Sequence, residues 1–325
     1  MVRDRVDGPL GRARLAPVLL ALLLLGVGAV VLYLGAEAAV RGAAGLATAL
    51  GIPAFLVGAL LFGIDLEGLG TAVAASARGA TALAVGHIFG AVLFLFSAAF
   101  GAALLLGRRQ VPSPSPVMVL APAAPLIAAS AALADRYVAR LEGVLLVVLY
   151  AAYVTVVIRE GRLDPTRTEE AEGDASRGTR PALAGLAVGG LLLVALGSAV
   201  LVTAALRLST AVGLSHGFVG AAVLGILVSL DEVVLEVLPI RRGVPELATG
   251  NLFGTLAAFS SGVLGVAALV RPLLVDSAAN LAVLGSAFLY ALVATVFLVR
   301  GRAGPVLGIV VLTFYAAWLV MVSSI

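Results

Sequence analysis

The chain is built from about ten runs of roughly 20 mainly apolar residues, separated by short charged breaks. Each helical residue adds about 1.5 Å, so a run of that length crosses a hydrocarbon core of about 30 Å. The runs fall at approximately 15–36, 53–77, 84–106, 116–134, 141–158, 182–206, 217–239, 247–270, 278–299 and 304–323. Arg41, Arg78, Arg108-Arg109, Asp135-Arg136, Arg207, Arg241-Arg242, Arg271-Pro272, Arg300 and Arg302 mark the breaks. Composition points the same way: 62% of residues are hydrophobic and 12% charged, against about 45–50% and about 25% in soluble domains. A soluble globular fold is excluded, and the lipid bilayer is the first partner.

Further classes drop out by inventory. All 21 basic residues are Arg, and there is no cysteine. A lysine nucleophile, a Schiff base, a P-loop, a thiolate metal site and a disulfide frame are therefore excluded. No H-E-x-x-H stretch occurs, so a zinc enzyme has no support, and no motif supports an aspartyl dyad. The net charge of +3 comes from Arg spread over loops, which argues against nucleic-acid binding. The apolar run from Leu15 to Leu34 is longer than the 7–15 residues or so of a signal-peptide core and reads as a retained span.

Residues 159–181, REGRLDPTRTEEAEGDASRGTRP, are polar and mixed in charge, the pattern of a solvated loop. They divide the chain into a first repeat (1–158), the loop (159–181) and a second repeat (182–325). The two parts resemble each other. At a shift of 164, Arg78-Gly79 falls on Arg242-Gly243, Leu83-Ala84 on Leu247-Ala248, Gly86 on Gly250, and Phe89-Gly90 on Phe253-Gly254. Ser97, Gly101, Ala103 and Leu105 continue onto Ser261, Gly265, Ala267 and Leu269. About five spans per half is an odd number, so the second half enters the membrane from the opposite side. The expected fold is an all-α polytopic membrane protein of about ten helices in two inverted five-helix repeats, an architecture of secondary transporters. Arg is richer in the loops on the side of 159–181, which places that loop in the cytoplasm and both termini outside. Arg3, Arg5, Arg12 and Arg14 pull the other way.

Acids inside spans are costly, about 2.5–3.5 kcal/mol on insertion scales, and persist where they meet an ion, a proton or a partner. The second run holds Asp65 and Glu67, and the seventh holds Asp231, Glu232 and Glu236, with no Arg inside either run. Glu232 shares a helix face with Ser229 and with Glu236. Glycines 63, 68 and 70 flank Asp65 and Glu67 and favour an interrupted helix, which would free carbonyls beside the acids. Hard cations such as Ca²⁺ take oxygen ligands of this kind. The bland alternative is a set of permanently protonated or helix-end acids, and it is strongest for Glu236, nearest Arg241-Arg242.

The third and eighth runs open with Gly86-His87-Ile88-Phe89-Gly90 and Gly250-Asn251-Leu252-Phe253-Gly254. Paired glycines allow close backbone approach. His87 could carry a proton and Asn251 a ligand oxygen, or both could be packing groups bonded to a neighbouring carbonyl.

These stretches resemble the calcium/cation antiporter superfamily, which includes the sodium/calcium exchangers. Gly35-Ala36-Glu37 through Arg41-Gly42-Ala43 resembles that family's G-A-D-x-x-V-x-G-A lead-in. Gly250-Asn251 to Gly254 resembles the opening of its G-N-x-x-G-S-N stretch. Leu227-Val228-Ser229-Leu230-Asp231-Glu232 stands where G-T-S-x-P-E is expected, with Asp231 in place of proline. In the first repeat, alignment from Arg78-Gly79 puts Gly68 at the expected Glu, whereas alignment from Val57-Gly58 slips by two. Ala91-Val92 and Thr255-Leu256 stand for S-N, and Leu95 and Phe259 replace a further polar position. The resemblance implies ten spans, a cytoplasmic central loop and cation exchange by alternating access, in a prokaryotic plasma membrane.

The expected function is a secondary cation antiporter, not an enzyme. It moves Ca²⁺ or another cation against Na⁺ or H⁺, with the ion as cargo and no cofactor. The expected cation-binding residues are Asp65, Glu67, Ser229, Asp231 and Glu232. Metal contact falls to the four acids among them, and Glu236, His87, Asn251 and Thr255 are secondary. The alternative is a degenerate, non-transporting scaffold or sensor of the same fold, which the lost hydroxyls and amides favour. The sequence sets neither the ion nor the oligomeric state.

Overall fold

The computed structural model describes residues 9–163, 178–212 and 230–322, and it is helical almost throughout. The first half holds α1 (Pro9–Leu50), α2 (Ala54–Val57) running into a π-helical turn (Gly58–Phe62), α3 (Leu66–Ala77) and α4 (Thr81–Phe94). A second π turn (Leu95–Ala99) joins α4 to α5 (Phe100–Leu106). Then come β1 (Val111–Pro112), α6 (Pro116–Leu120), α7 (Ala123–Ala132), β2 (Tyr137–Val138) and α8 (Arg140–Leu163). The second half holds α9 (Arg180–Val212), α10 (Leu230–Arg241) and α11 (Pro245–Ala257), followed by a π turn (Ala258–Val263) and α12 (Leu264–Val270). It ends with β3 (Leu273–Leu274), α13 (Ser277–Arg300), β4 (Arg302–Ala303) and α14 (Pro305–Val322).

Six helical stretches among the described residues are long and apolar enough to cross a membrane: Pro17–Leu50, Thr81–Leu106, Arg140–Gly161, Arg180–Leu201, Pro245–Val270 and Ala279–Arg300. Gly68–Ala77, Pro116–Ala132 and Pro305–Met321 are shorter and apolar. Two of the expected spans are broken, the second where its flanking glycines imply an interrupted helix. The second breaks at residues 63–65, and the fourth at Ala121-Pro122, where a proline removes a donor. Most of the seventh lies outside the described residues.

The chain divides into two compact units, and each draws on both halves of the sequence: Met1–Gly42 with Pro181–Leu235, and Ala43–Arg180 with Glu236–Ile325. In the first unit α1 and α9 run antiparallel. Gly35 abuts Val194, and Gly197 abuts Leu32, while Gly28 meets Leu201 and Gly190 meets Ala39. Small residues set this spacing because lipid gives no hydrophobic drive between helices, so close packing must supply the attraction. Adding 162 to one member of each pair and subtracting it from the other turns the first contact into the second (35 to 197, 194 to 32). The repeat seen in the sequence is therefore also an exchange of packing partners.

The second unit repeats the pattern. Helix α5 packs on α14 through Gly101 and Gly308, and α12 packs on α8 through Gly265 and Gly143. Strand β1 pairs with β4, and β2 with β3, both antiparallel (Val111 opposite Ala303, Tyr137 opposite Leu274). These two-residue ladders are the departure from an all-helical reading, and they pair backbone groups of the loops that follow the helices. An aromatic cluster fills the core: Phe253 lies 6.4 Å from Phe55, 6.1 Å from Phe96 and 6.0 Å from Phe297 by ring centroid. Tyr290 joins it and donates its hydroxyl hydrogen to the Val119 carbonyl at 2.9 Å.

Candidate functional site

The second unit contains the interrupted helix. After the π turn the backbone leaves helical geometry from Gly63 to Asp65 and resumes at Leu66. The crossing beneath it is tight. A Cβ at Gly63 would lie 2.8 Å from the Gly254 carbonyl carbon, and one at Gly254 would lie 2.6 Å from Ala59 Cα and Ala59 O. The glycine pair at 250 and 254 therefore serves the backbone approach expected of it. Its counterpart at 86 and 90 faces no described atom within 4 Å, and the element matching α2 in the second half falls among residues 213–229, outside the described ones.

Asp65 is the residue before α3, and its carbonyl accepts the Leu69 N–H at 3.0 Å, the first bond of that helix. It is partly exposed, and its carboxylate lies against Gly68. Glu67 is the second residue of α3, with its side chain outside the described set. Ser229 also lies outside it. Asp231 and Glu232 are on α10, half-buried, and belong to the first unit.

Glu236 is fully buried in the second unit. Its Oε1 accepts from the Asn251 side-chain amide at 2.9 Å. The Thr255 hydroxyl in turn donates to Asn251 Oδ1 at 3.3 Å, and both partners are buried. The three form one buried polar chain from α11 to α10. Sequence reasoning ranked Glu236 below Glu232 and did not connect it to Asn251. No fixed spacing announces a contact across 15 residues and two helices. His87, the repeat counterpart of Asn251, sits on α4 with its ring centroid 6.5 Å from that of Phe259. Its Nε2 is enclosed and has no hydrogen-bond partner among the described residues. Those residues contain no cluster of three His, Asp or Glu able to hold a metal ion.

The sequence also matches a known family over both halves. The family described as sodium/calcium exchanger protein matches residues 20–159 and 182–324. The chain belongs to this family. As a member it is an integral membrane protein of the antiporter class, as the resemblance implied. The putative antiporter CaxA of Alkalimonas amylolytica is 28% identical over 273 residues, 80% of this chain and 84% of that protein. Inner membrane protein YrbG of Escherichia coli (strain K12) is 26% identical over 268 residues, 78% of this chain and 81% of that one. The sodium-calcium exchanger NCX_Mj, soaked with 10 mM Na⁺ and zero Ca²⁺, superposes with a TM-score of 0.78 at 22% identity, covering 93% of this chain and 99% of that one. That likeness establishes a shared fold.

Proposed function

We propose that this family member is a secondary active cation antiporter, exchanging Ca²⁺ or another cation for Na⁺ or H⁺ by alternating access. The reading includes ten spans in two inverted five-helix repeats, with the 159–181 loop in the cytoplasm of a prokaryotic cell. Antiparallel α1 and α9, and the exchanged Gly101–Gly308 and Gly143–Gly265 contacts, support the inverted relation. The observation that carries the function is the family match across both halves, joined to a helix that breaks beside an acid within a span. Asp65, Glu67, Ser229, Asp231 and Glu232 are the proposed cation ligands. The returning Na⁺ or proton neutralises the same carboxylates.

Leu95 and Phe259, both buried, favour a second reading. They put apolar groups where the resemblance implies polar ones, as in a non-transporting scaffold or sensor of the same fold. Flux into proteoliposomes, screened over Ca²⁺, Na⁺, K⁺, Mn²⁺ and H⁺ gradients, separates the two. Wild-type protein is expected to show counter-transport, and Glu232→Gln to abolish it with the fold intact. Unchanged flux in that variant would remove Glu232 from the site.

A further inference from the structure

Helices α8 and α14, which close the two halves, carry the same aromatic device. Gly143 and Gly308 make equivalent crossings, which sets a shift of 165 for these helices. At that shift Tyr150 falls on Tyr315 and Tyr153 on Trp318. Both pairs are stacked, with ring centroids 6.2 Å apart and planes inclined by 19° and 12°. Helix α8 packs on the π turn at 258–263, and α14 on the π turn at 95–99. A Cβ at Gly262, inside the first of these turns, would lie 3.1 Å from Tyr150 Cδ1. Phe94, beside the second, meets Tyr315 edge-on at 5.8 Å.

The polar heads of these pairs are not explained by packing. Tyr150 Oη, Tyr153 Oη and Trp318 Nε1 are enclosed and have no hydrogen-bond partner among the described residues. Tyr153 as a whole is only 3% exposed. The paired residues stand ten and thirteen positions beyond the first residue of their helices, about 15 Å and about 20 Å along a crossing of about 30 Å. Anchoring at the membrane interface, the usual role of Tyr and Trp in a span, does not apply at that depth. Filling space does not require the heads either, since Phe96, Phe253 and Phe297 fill the core without one. Tyr290 shows the other solution, with its hydroxyl bonded to the Val119 carbonyl.

We propose that the two pairs hold ordered water against the π turns, bound by the Tyr150 and Tyr153 hydroxyls on α8 and by the Trp318 N–H on α14. Hydrocarbon offers a polar head no partner, so one enclosed at this depth is stabilised by water enclosed with it. The π turns supply further polar groups, because they interrupt the regular i→i+4 ladder. Each also carries a buried serine, Ser97 or Ser261, whose hydroxyl donates to the carbonyl four residues before it and keeps its oxygen as an acceptor. A phenol both donates and accepts, whereas indole only donates, so water at Trp318 accepts from Nε1. The place of the head thus recurs while its chemistry differs between halves. The inference is independent of the transport reading.

The test uses the full chain in lipid nanodiscs. Brief X-ray exposure in isotopically labelled water makes hydroxyl radicals in place, and mass spectrometry reads which side chains they oxidise. Tyr150, Tyr153 and Trp318 are expected to be labelled several times faster than Tyr290, which is buried against a protein carbonyl. Labelling of all three at the Tyr290 rate overturns the inference, and labelling of the α8 pair alone overturns its repetition on α14. Tyr150→Phe and Tyr153→Phe are each expected to lower the unfolding temperature, because each removes a ligand of the bound water. An unchanged or higher temperature is the result for an idle buried hydroxyl, and it overturns the inference. A lower temperature in the variants with an unlabelled wild type assigns the hydroxyls a protein partner and overturns it as well.

Discussion

The two halves share a scaffold but differ in the chemistry mounted on it. The glycine turns, π turns, crossing glycines and strand pairs recur in both. At three matched positions the second half has Glu236, Asn251 and Thr255, joined in one buried chain, where the first has Ala72, His87 and Ala91. Backbone symmetry therefore survives where packing demands it, in places where a side chain would strike a neighbouring main chain. Polar side chains are under no such constraint and have diverged. Function in a repeat protein of this kind has to be sought in the differences between halves as much as in their common frame.

The frame itself should fail equally from either side. A Cβ at Gly101 would lie 2.8 Å from Leu312 Cγ and 3.1 Å from Gly308 O, and one at Gly265 would lie 2.7 Å from Gly143 O and 2.8 Å from Val147 Cγ2. Gly101→Leu and Gly265→Leu should each cost about 3 kcal/mol or more, at the upper end for overpacking, since backbone blocks relaxation. Unfolding of the detergent-solubilised protein measures both. A cost at one site and near neutrality at the other would break the symmetry of the scaffold.

How far the sequence foretold this depends on which physical signal each feature leaves. Spans leave a long one, because about 20 residues must all be apolar, and most expected boundaries lie within a few residues of the helix ends. The repeat is legible through Arg-Gly and Phe-Gly, whose geometry is tied to turns and crossings. The break at Gly63–Asp65 is legible because glycines flank the acids. Two things were not. The compact units cut across the halves because helices pair by surface fit, which sequence order does not record. The Glu236–Asn251 bond joins two helices, and its partners obey no shared periodicity.

That bond sharpens the contrast between halves at an intermediate scale. Glu236→Ala strands the buried Asn251 amide and should cost about 1–3 kcal/mol, the usual penalty for an unsatisfied buried group. Glu236→Gln keeps an acceptor and should cost less, which distinguishes hydrogen bonding from charge. In the first half His87 has no described partner for Nε2, so His87→Leu loses no described hydrogen bond and should stay within about 1 kcal/mol of wild type. Asn251→Leu breaks bonds to both Glu236 and Thr255 and should cost more than His87→Leu. Equal effects of the two Leu substitutions, measured by thermal unfolding, would show that the halves differ in appearance only.

The smallest expected difference lies at the turns that fix the register. Gly79 and Gly243 both have positive φ, which penalises any L side chain by about 1–2 kcal/mol. Gly79→Ala and Gly243→Ala should therefore both destabilise. Their surroundings repeat as well, since each turn lies under an Arg from the other half, Arg271 over Gly79 and Arg109 over Gly243. The fit is not identical. A Cβ at Gly79 would be 2.8 Å from Arg271 Nη1, and one at Gly243 would be 3.4 Å from Arg109 Nη1. Guanidinium ends can swing aside, so the extra cost at Gly79 should be a few tenths of a kcal/mol, near the resolution of denaturation measurements. Removing the clash in an Arg271→Ala background should bring the Gly79 penalty down to that at Gly243. A Gly79 penalty that persists there would mean that the main chain, and not the arginine above it, sets the difference between the two turns.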